Sequence, residues 1–201
     1  MLGKFFKKAK ETVSGISDAV RGVEHVDWIT HAFPYSLEMM MGPDEARDLS
    51  RPLPPAGLDP AAVQYADAWY GIWARVRDGH VVPVQAVEAG DVAGAQQALA
   101  QWEAQLAQAD VEQARLGEFR GNRHLLLANS DIHTTLGAMV EEVREYIGLR
   151  ISGQDAMEHA TGAITRVVSI HTSMNNALLG FYHDPFSTRS EERRVGKECR
   201  S

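Results

Sequence analysis

The chain of 201 residues is 44% hydrophobic and 23% charged, the make-up of a soluble globular protein with one good core rather than of a disordered chain. Its net charge is −7, and the tail from Arg189 onward holds five basic and three acidic residues, so the first 188 residues carry −9; that excludes broad nucleic-acid binding, which needs a basic surface to displace counterions. A single cysteine, Cys199, cannot form an internal disulfide, no apolar run approaches the ~20 residues of a membrane span, and the N-terminus lacks the uncharged apolar core of a secretory signal, so a cytoplasmic location is the expectation.

The opening MLGKFFKKAKETVSGISDAV puts Leu2, Phe5, Phe6, Ala9, Val13, Ile16, Ala19 and Val20 on one helical face. Lys4, Lys7, Lys8 and Lys10 lie on the other. Such a basic amphipathic helix, residues 1–20, can rest on an anionic membrane surface or pack on its own domain. VEHVDWITHAFPYSLEMMM keeps a helical pattern until Pro34 breaks or kinks it. GPDEARDLSRPLPPAGLDP, with five prolines and two glycines, reads as a loop.

Asp59-Pro60 then starts a helix, with Asp as N-cap and Pro in the first turn, and this helix stops near Asp78-Gly79. Another is predicted over about Asp91 to Arg120, with Val92, Ala95, Leu99, Trp102 and Leu106 on one face and a break at Gly121-Asn122. No segment keeps a period of two, so the expected fold is all-α: a helical bundle over residues 21–120, followed by a heptad-bearing unit over residues 123–182.

The heptad signal is the strongest in the chain. With Ile132 at position a, the a positions run Met139, Tyr146, Gly153, Ala160, Val167, Met174 and Phe181. The d positions are Leu136, Val143, Arg150, Met157, Ile164, His171 and Leu178. Twelve of these fifteen positions are apolar or aromatic, which suits a coiled coil or a long bundle helix. Unbroken, that helix would run about 75 Å. GLRISG, Gly148 to Gly153, sets two glycines beside a misplaced Arg150, and there the chain can instead turn back as a helix hairpin. Ile132, Leu136, Met139, Val143, Met157, Ile164, Val167, Met174 and Leu178 are the candidate dimer seam, its partner being either the bundle or a second subunit.

Eight histidines invite a metal hypothesis, but no His-x-x-x-His occurs, and the adjacent Glu158 and His159 point to different faces. His171 on the seam reads as a polar residue that sets register. There is no glycine-rich phosphate loop and no His-Glu-x-x-His, so no catalytic constellation is expected.

His25-Val26-Asp27-Trp28, followed later by LDPAAVQYADAWYGIW, resembles the chemoreceptor zinc-binding type of bacterial helical sensor. That family carries His-x-x-Trp on one helix and Cys-x-x-Gly-x-Trp on the next, and Gly71-Ile72-Trp73 matches the second motif in part. Ala68 stands where the family has its cysteine. The resemblance implies His25 and His80 as zinc ligands, fewer than the three or four that zinc takes.

Asp184-Pro185-Phe186-Ser187, after the long helical pattern, resembles the opening of a GGDEF domain, the diguanylate cyclase module, which begins with Asp-Pro-Leu-Thr behind a signalling helix. The likeness implies that residues 183–189 start a cyclase output domain that uses GTP, and that none of its catalytic residues lies in this chain. SEERRVGKECRS, residues 190–201, resembles the conceptual translation of a sequencing adapter and carries no information about the fold. Trp69-Tyr70, His124 and Leu136-Gly137-Ala138 resemble a haem-binding globin sensor, which would make His124 the proximal ligand.

These readings add up to a non-catalytic sensory and dimerisation region of a signalling protein that regulates cyclic-di-GMP synthesis. No cofactor is expected, with zinc or haem as the alternatives, and a homodimer is the expected assembly.

Overall fold

The computed structural model describes residues 51–187; the expectations for residues 1–50, His25 and the basic helix among them, and for residues 188–201 lie outside it. Among the described residues five α-helices come in order: α1 (Pro60–Arg77), α2 (Val81–Glu88), α3 (Val92–Ala114), α4 (Arg123–Ile151) and α5 (Met157–His183). Short 3-10 turns occupy Asp78–His80 and Glu118–Gly121. Among the described residues there is no strand, and the all-α bundle is the architecture that the periodicities predict.

Helix α1 starts as the sequence dictates. The Asp59 carboxylate accepts from the Ala61 amide at 2.9 Å, and Pro60 takes the first turn, where an amide would have no partner in the helix. Its buried residues, Ala62, Tyr65, Ala66, Trp69, Ile72, Trp73 and Val76, recur at three and four. Trp69 and Trp73 stand one turn apart, and their indole N–H groups both donate to the Asn129 Oδ1 of α4, at 2.8 and 2.9 Å. Both indoles are fully buried, so this one amide oxygen satisfies two donors that would otherwise be costly.

Helix α2 goes beyond the sequence reading, which ends a helix near Gly79 and assigns nothing to HVVPVQAV. A single 3-10 turn carries the chain from α1 to α2, and Pro83 falls in the first turn of α2, where its missing N–H costs little. Gly79 is needed here for space: a Cβ at this position would collide with the Trp102 indole of α3. That indole donates to the Val76 carbonyl at the end of α1. In α3, Asp91 caps the Gly94 amide, and Ala95, Leu99, Trp102 and Leu106 are buried as predicted, while Val92 is exposed. The helix stops at Ala114, short of the predicted Arg120, and Gly117 at φ 104° turns the chain.

The heptad region closes on itself. Helices α4 and α5 form an antiparallel hairpin, and the continuous-helix alternative is corrected by the turn at Ser152–Ala156. Gly153 takes φ 68°, its amide donates to the Arg150 carbonyl at 3.1 Å, and the Gln154 amide donates to the Leu149 carbonyl at 2.9 Å. This is the Schellman end, which satisfies the last carbonyls of α4 and reverses the chain. Asp155 then caps the Met157 amide at 3.0 Å. Arg150, out of place in a seam, points away from it and pairs with Glu88 of α2 at 2.7 Å.

Ile132, Leu136, Met139, Val143, Val167, Met174 and Leu178 are buried within this one chain, and Met157 and Ile164 pack partly buried against the same core. At roughly 2 kcal/mol per buried aliphatic side chain, the seven closed positions contribute on the order of 10 kcal/mol before entropy is counted. Of the two partners expected for the seam, the bundle or a second subunit, the chain's own helices cover these positions.

Two glycine substitutions separate close packing from helix propensity. Gly79→Ala should destabilise the fold by about 1–3 kcal/mol through overpacking against Trp102. Gly148→Ala, at an exposed helical position with open space around it, should stabilise by about 0.5–1 kcal/mol. Urea unfolding followed by far-UV circular dichroism reads both.

Candidate functional site

The most unusual chemistry in the described core is a buried guanidinium. The side chain of Arg77, in the last turn of α1, is 1% exposed. Its Nε and Nη2 donate to the two carboxylate oxygens of Asp78 at 2.9 and 2.7 Å, a bidentate pair with its own neighbour. Its Nη1 lies 2.8 Å from Nδ1 of His171 on α5. Arginine has no acceptor, so Nδ1 must carry a lone pair and the ring proton sits on Nε2; the Asn175 side-chain amide, 3.1 Å away, accepts that proton only with its oxygen turned toward the ring. The Tyr70 hydroxyl approaches the same Nδ1 at 3.4 Å. His80 borders the other side, its Nδ1–H donating to the Arg77 carbonyl at 3.1 Å.

This network continues outward between α1 and α5. The Arg51 guanidinium sits 4.8 Å from the centre of the Tyr70 ring, donates to the Tyr182 hydroxyl at 3.3 Å, and pairs with Asp67. Two arginines, two aspartates, two tyrosines and one histidine thereby link the first described residues to both α1 and α5. Desolvation makes a buried cation expensive, so its partners are held to one geometry; the arrangement specifies how α1 sits on α5.

Two carboxylates tie other helices together. Glu88 of α2 accepts from the Tyr146 hydroxyl at 2.7 Å and pairs with Arg150, both on α4. Glu142 of α4 lies 2.9 Å from His159 and 3.0 Å from Arg166, both on α5. Burial pushes each carboxyl up, but its hydrogen bonds and the adjacent arginine outweigh that and hold it below the ordinary range. Burial, together with the Glu88 carboxylate, raises the Tyr146 hydroxyl well above its ordinary value.

The residues singled out in the sequence are dispersed. His80 is fully buried, hydrogen-bonded to backbone, with its ring 6.4 Å from that of Trp102. His124 stands in the first turn of α4 against Gly180 of α5; burial and the neighbouring Arg123 lower its pKa. The two belong to different elements, and among the described residues no group of three or more His, Cys, Asp or Glu is placed to hold a metal ion. Asp184 and Pro185 lie just past α5, where their carbonyls accept from Asn122 Nδ2 at 2.9 and 3.0 Å. No helix among the described residues is long and apolar enough to cross a membrane.

The sequence marks Asn122 only as part of a break and gives no sign of the roles of Arg77 and Asn129. Arg77 looks like an ordinary basic residue at a helix C-terminus, which the helix dipole favours. The two asparagines carry no periodic signal. His171 is visible as a polar residue on an apolar seam, and it is the one that meets Arg77.

Because Glu88 and Glu142 are held below the unfolded carboxyl value of 4.5, each adds stability that is fully present above that pH and is lost as pH falls through the folded value. Glu88→Gln and Glu142→Gln should each flatten the fall in melting temperature as pH drops below the unfolded carboxyl value. Replacing His171 by Ala removes an acceptor from the buried guanidinium and should cost about 1–3 kcal/mol at neutral pH, read by urea unfolding.

The curated proteins and the solved structures contain no match to the chain. A family model does match, over residues 21–194, spanning the whole described bundle, the Asp184-Pro185 stretch and residues on either side. The chain belongs to DUF6620, a family of unknown function.

Proposed function

We propose that this chain is a non-catalytic regulatory module, a helical sensor-like bundle that passes its packing state along α5 to the unit C-terminal to it. The observation that carries this reading is the way α5 ends. Past His183 the chain lies against the bundle: the Ser187 carbonyl accepts from the Arg123 amide at 3.0 Å, and Ser187 is 2% exposed. A C-terminal unit would therefore inherit its orientation from α4 and α5 rather than swing on a free linker. The likeness of Asp184-Pro185 to the start of a GGDEF domain makes cyclic-di-GMP synthesis from GTP the proposed output.

The buried Arg77–His171 contact between α1 and α5 supports the same reading. Arg77 and His171 are 0% and 3% exposed, which suits an element with discrete packing arrangements better than it suits a substrate site. A ligand that favours one arrangement of α1 on α5 would shift the population and, through α5, the exit. Pairing of two chains, which would bring two output domains together, then uses surfaces outside the closed seam.

The reading frame downstream of Thr188 in the source genome tests the class. A Gly-Gly-Asp/Glu-Glu-Phe motif there supports it, and an immediate stop codon overturns it. Sedimentation at micromolar concentration tests the pairing, for which a dimer is expected and a strict monomer counts against it. Purified protein should show no Soret band and no stoichiometric zinc; haem lost on His124→Ala, or zinc lost on His25→Ala, would replace this reading with a cofactor-binding sensor.

A further inference from the structure

We infer that Asn122 is a two-sided latch that couples the start of α4 to the exit of α5. Its side chain makes two kinds of bond at once. Oδ1 accepts from the His124 and Leu125 amides at 3.0 and 3.3 Å, capping α4. Nδ2 donates to the Asp184 and Pro185 carbonyls at 2.9 and 3.0 Å. Only asparagine among the good N-cap residues offers an acceptor and two donors on one short side chain; aspartate and the hydroxyl residues cap as well but lack the amide N–H pair. Asn122 is 2% exposed, so neither half of this arrangement is exchanged freely for water.

The strap it holds, Asp184–Ser187, has few other contacts: Ser187 at its end is buried, and the Asp184 amide donates back to the Gly180 carbonyl of α5 at 3.1 Å. Phe186 rests on Phe119 with ring centroids 5.5 Å apart, yet it is 65% exposed, so its burial contributes little. One backbone bond, Arg123 N–H to the Ser187 carbonyl, completes the contact. Two side-chain bonds to the strap thus come from one amide group, and the same side chain caps the helix that the strap must report on. Where Asn122 goes, the exit goes too: a shift of α4 relative to α5 either carries the strap along or releases it. This deepens the proposed regulatory reading and rests on it only for its purpose; the latch itself is a property of residues 119–187.

The two halves can be separated by one atom. Asn122→Asp keeps the capping oxygen, and its negative charge suits a helix N-terminus, but it cannot donate and it repels the two carbonyls. Amide hydrogen exchange by NMR reads the halves independently in the full chain, because the Arg123 amide is bonded to the strap and the Leu125 amide to the cap. Asn122→Asp should speed exchange at Arg123 by about tenfold while Leu125 exchange is unchanged or slower. Asn122→Ala should speed both. If Arg123 stays protected in Asn122→Asp, the strap is held by something else and the latch is wrong. If both amides lose protection together in Asn122→Asp, which keeps the cap, the cap and the strap bond are not separate functions of the two ends of this side chain, and the two-sided latch is wrong again. Should Asn122→Asp fail to fold, Asn122→Ser, which also caps but has no amide to span to the strap, serves with the same two outcomes. All of these readouts lie within residues 122–125 and are independent of any output domain, so the latch and the cyclase reading can fail separately.

Discussion

The turn at Gly153 is the constraint on which the rest of the molecule depends. Its left-handed backbone lets α4 end with its carbonyls satisfied and sends α5 back along the same face. With that reversal the heptad stripe of each helix meets the other, and seven aliphatic side chains close inside one chain. Without it the stripe would stay open to solvent and would need a second molecule. The reversal also brings the end of α5 beside the start of α4, so that His124 meets Gly180 and Asn122 meets Asp184 and Pro185.

The helices packed on this hairpin are positioned by a few polar contacts in an apolar setting. Asn129 receives both α1 indoles, Glu88 receives Tyr146 and Arg150, and Arg77 meets His171. Burial alone is tolerant of small slides, because apolar contact is nondirectional. A buried hydrogen bond is not tolerant, because a slide leaves a desolvated donor with nothing to bond to. These contacts set which of several greasy arrangements the bundle adopts. They also mark where a ligand or a partner would have leverage, since changing one of them changes the relative cost of two packings.

Much of the fold was legible in sequence because it rests on local rules. Asp59-Pro60 announced α1, the spacing from Ala95 to Leu106 announced α3, and Gly121-Asn122 marked the boundary before α4. Gly153 and Arg150 flagged the possibility of a hairpin without deciding it, since a tolerated glycine inside a helix and a terminating glycine look alike in a string of letters. Gly148 stayed helical and Gly153 did not. Helix α2 was hidden because Gly79 reads as a stop, whereas in the structure it makes room for the Trp102 indole, which comes from α3. The candidate site was legible only at His171; Arg77 could be recognised as buried only once α1 and α5 were seen side by side.

Hydrophobic period, capping residues and charge are set along the chain, so the sequence by itself determined that this protein is all-helical, roughly where its helices start, and which stripes must be buried. Which stripe covers which is a question of long-range pairing. A heptad seam has the same apolar pattern whether its partner is another molecule or the returning half of the same helix pair. The tertiary structure decided that in favour of one chain, because a left-handed Gly153 closes the hairpin locally and buries the seam without the entropic cost of bringing two chains together. It alone also joined Asn122 to the exit and Arg77 to His171, pairs far apart in sequence that no local rule connects.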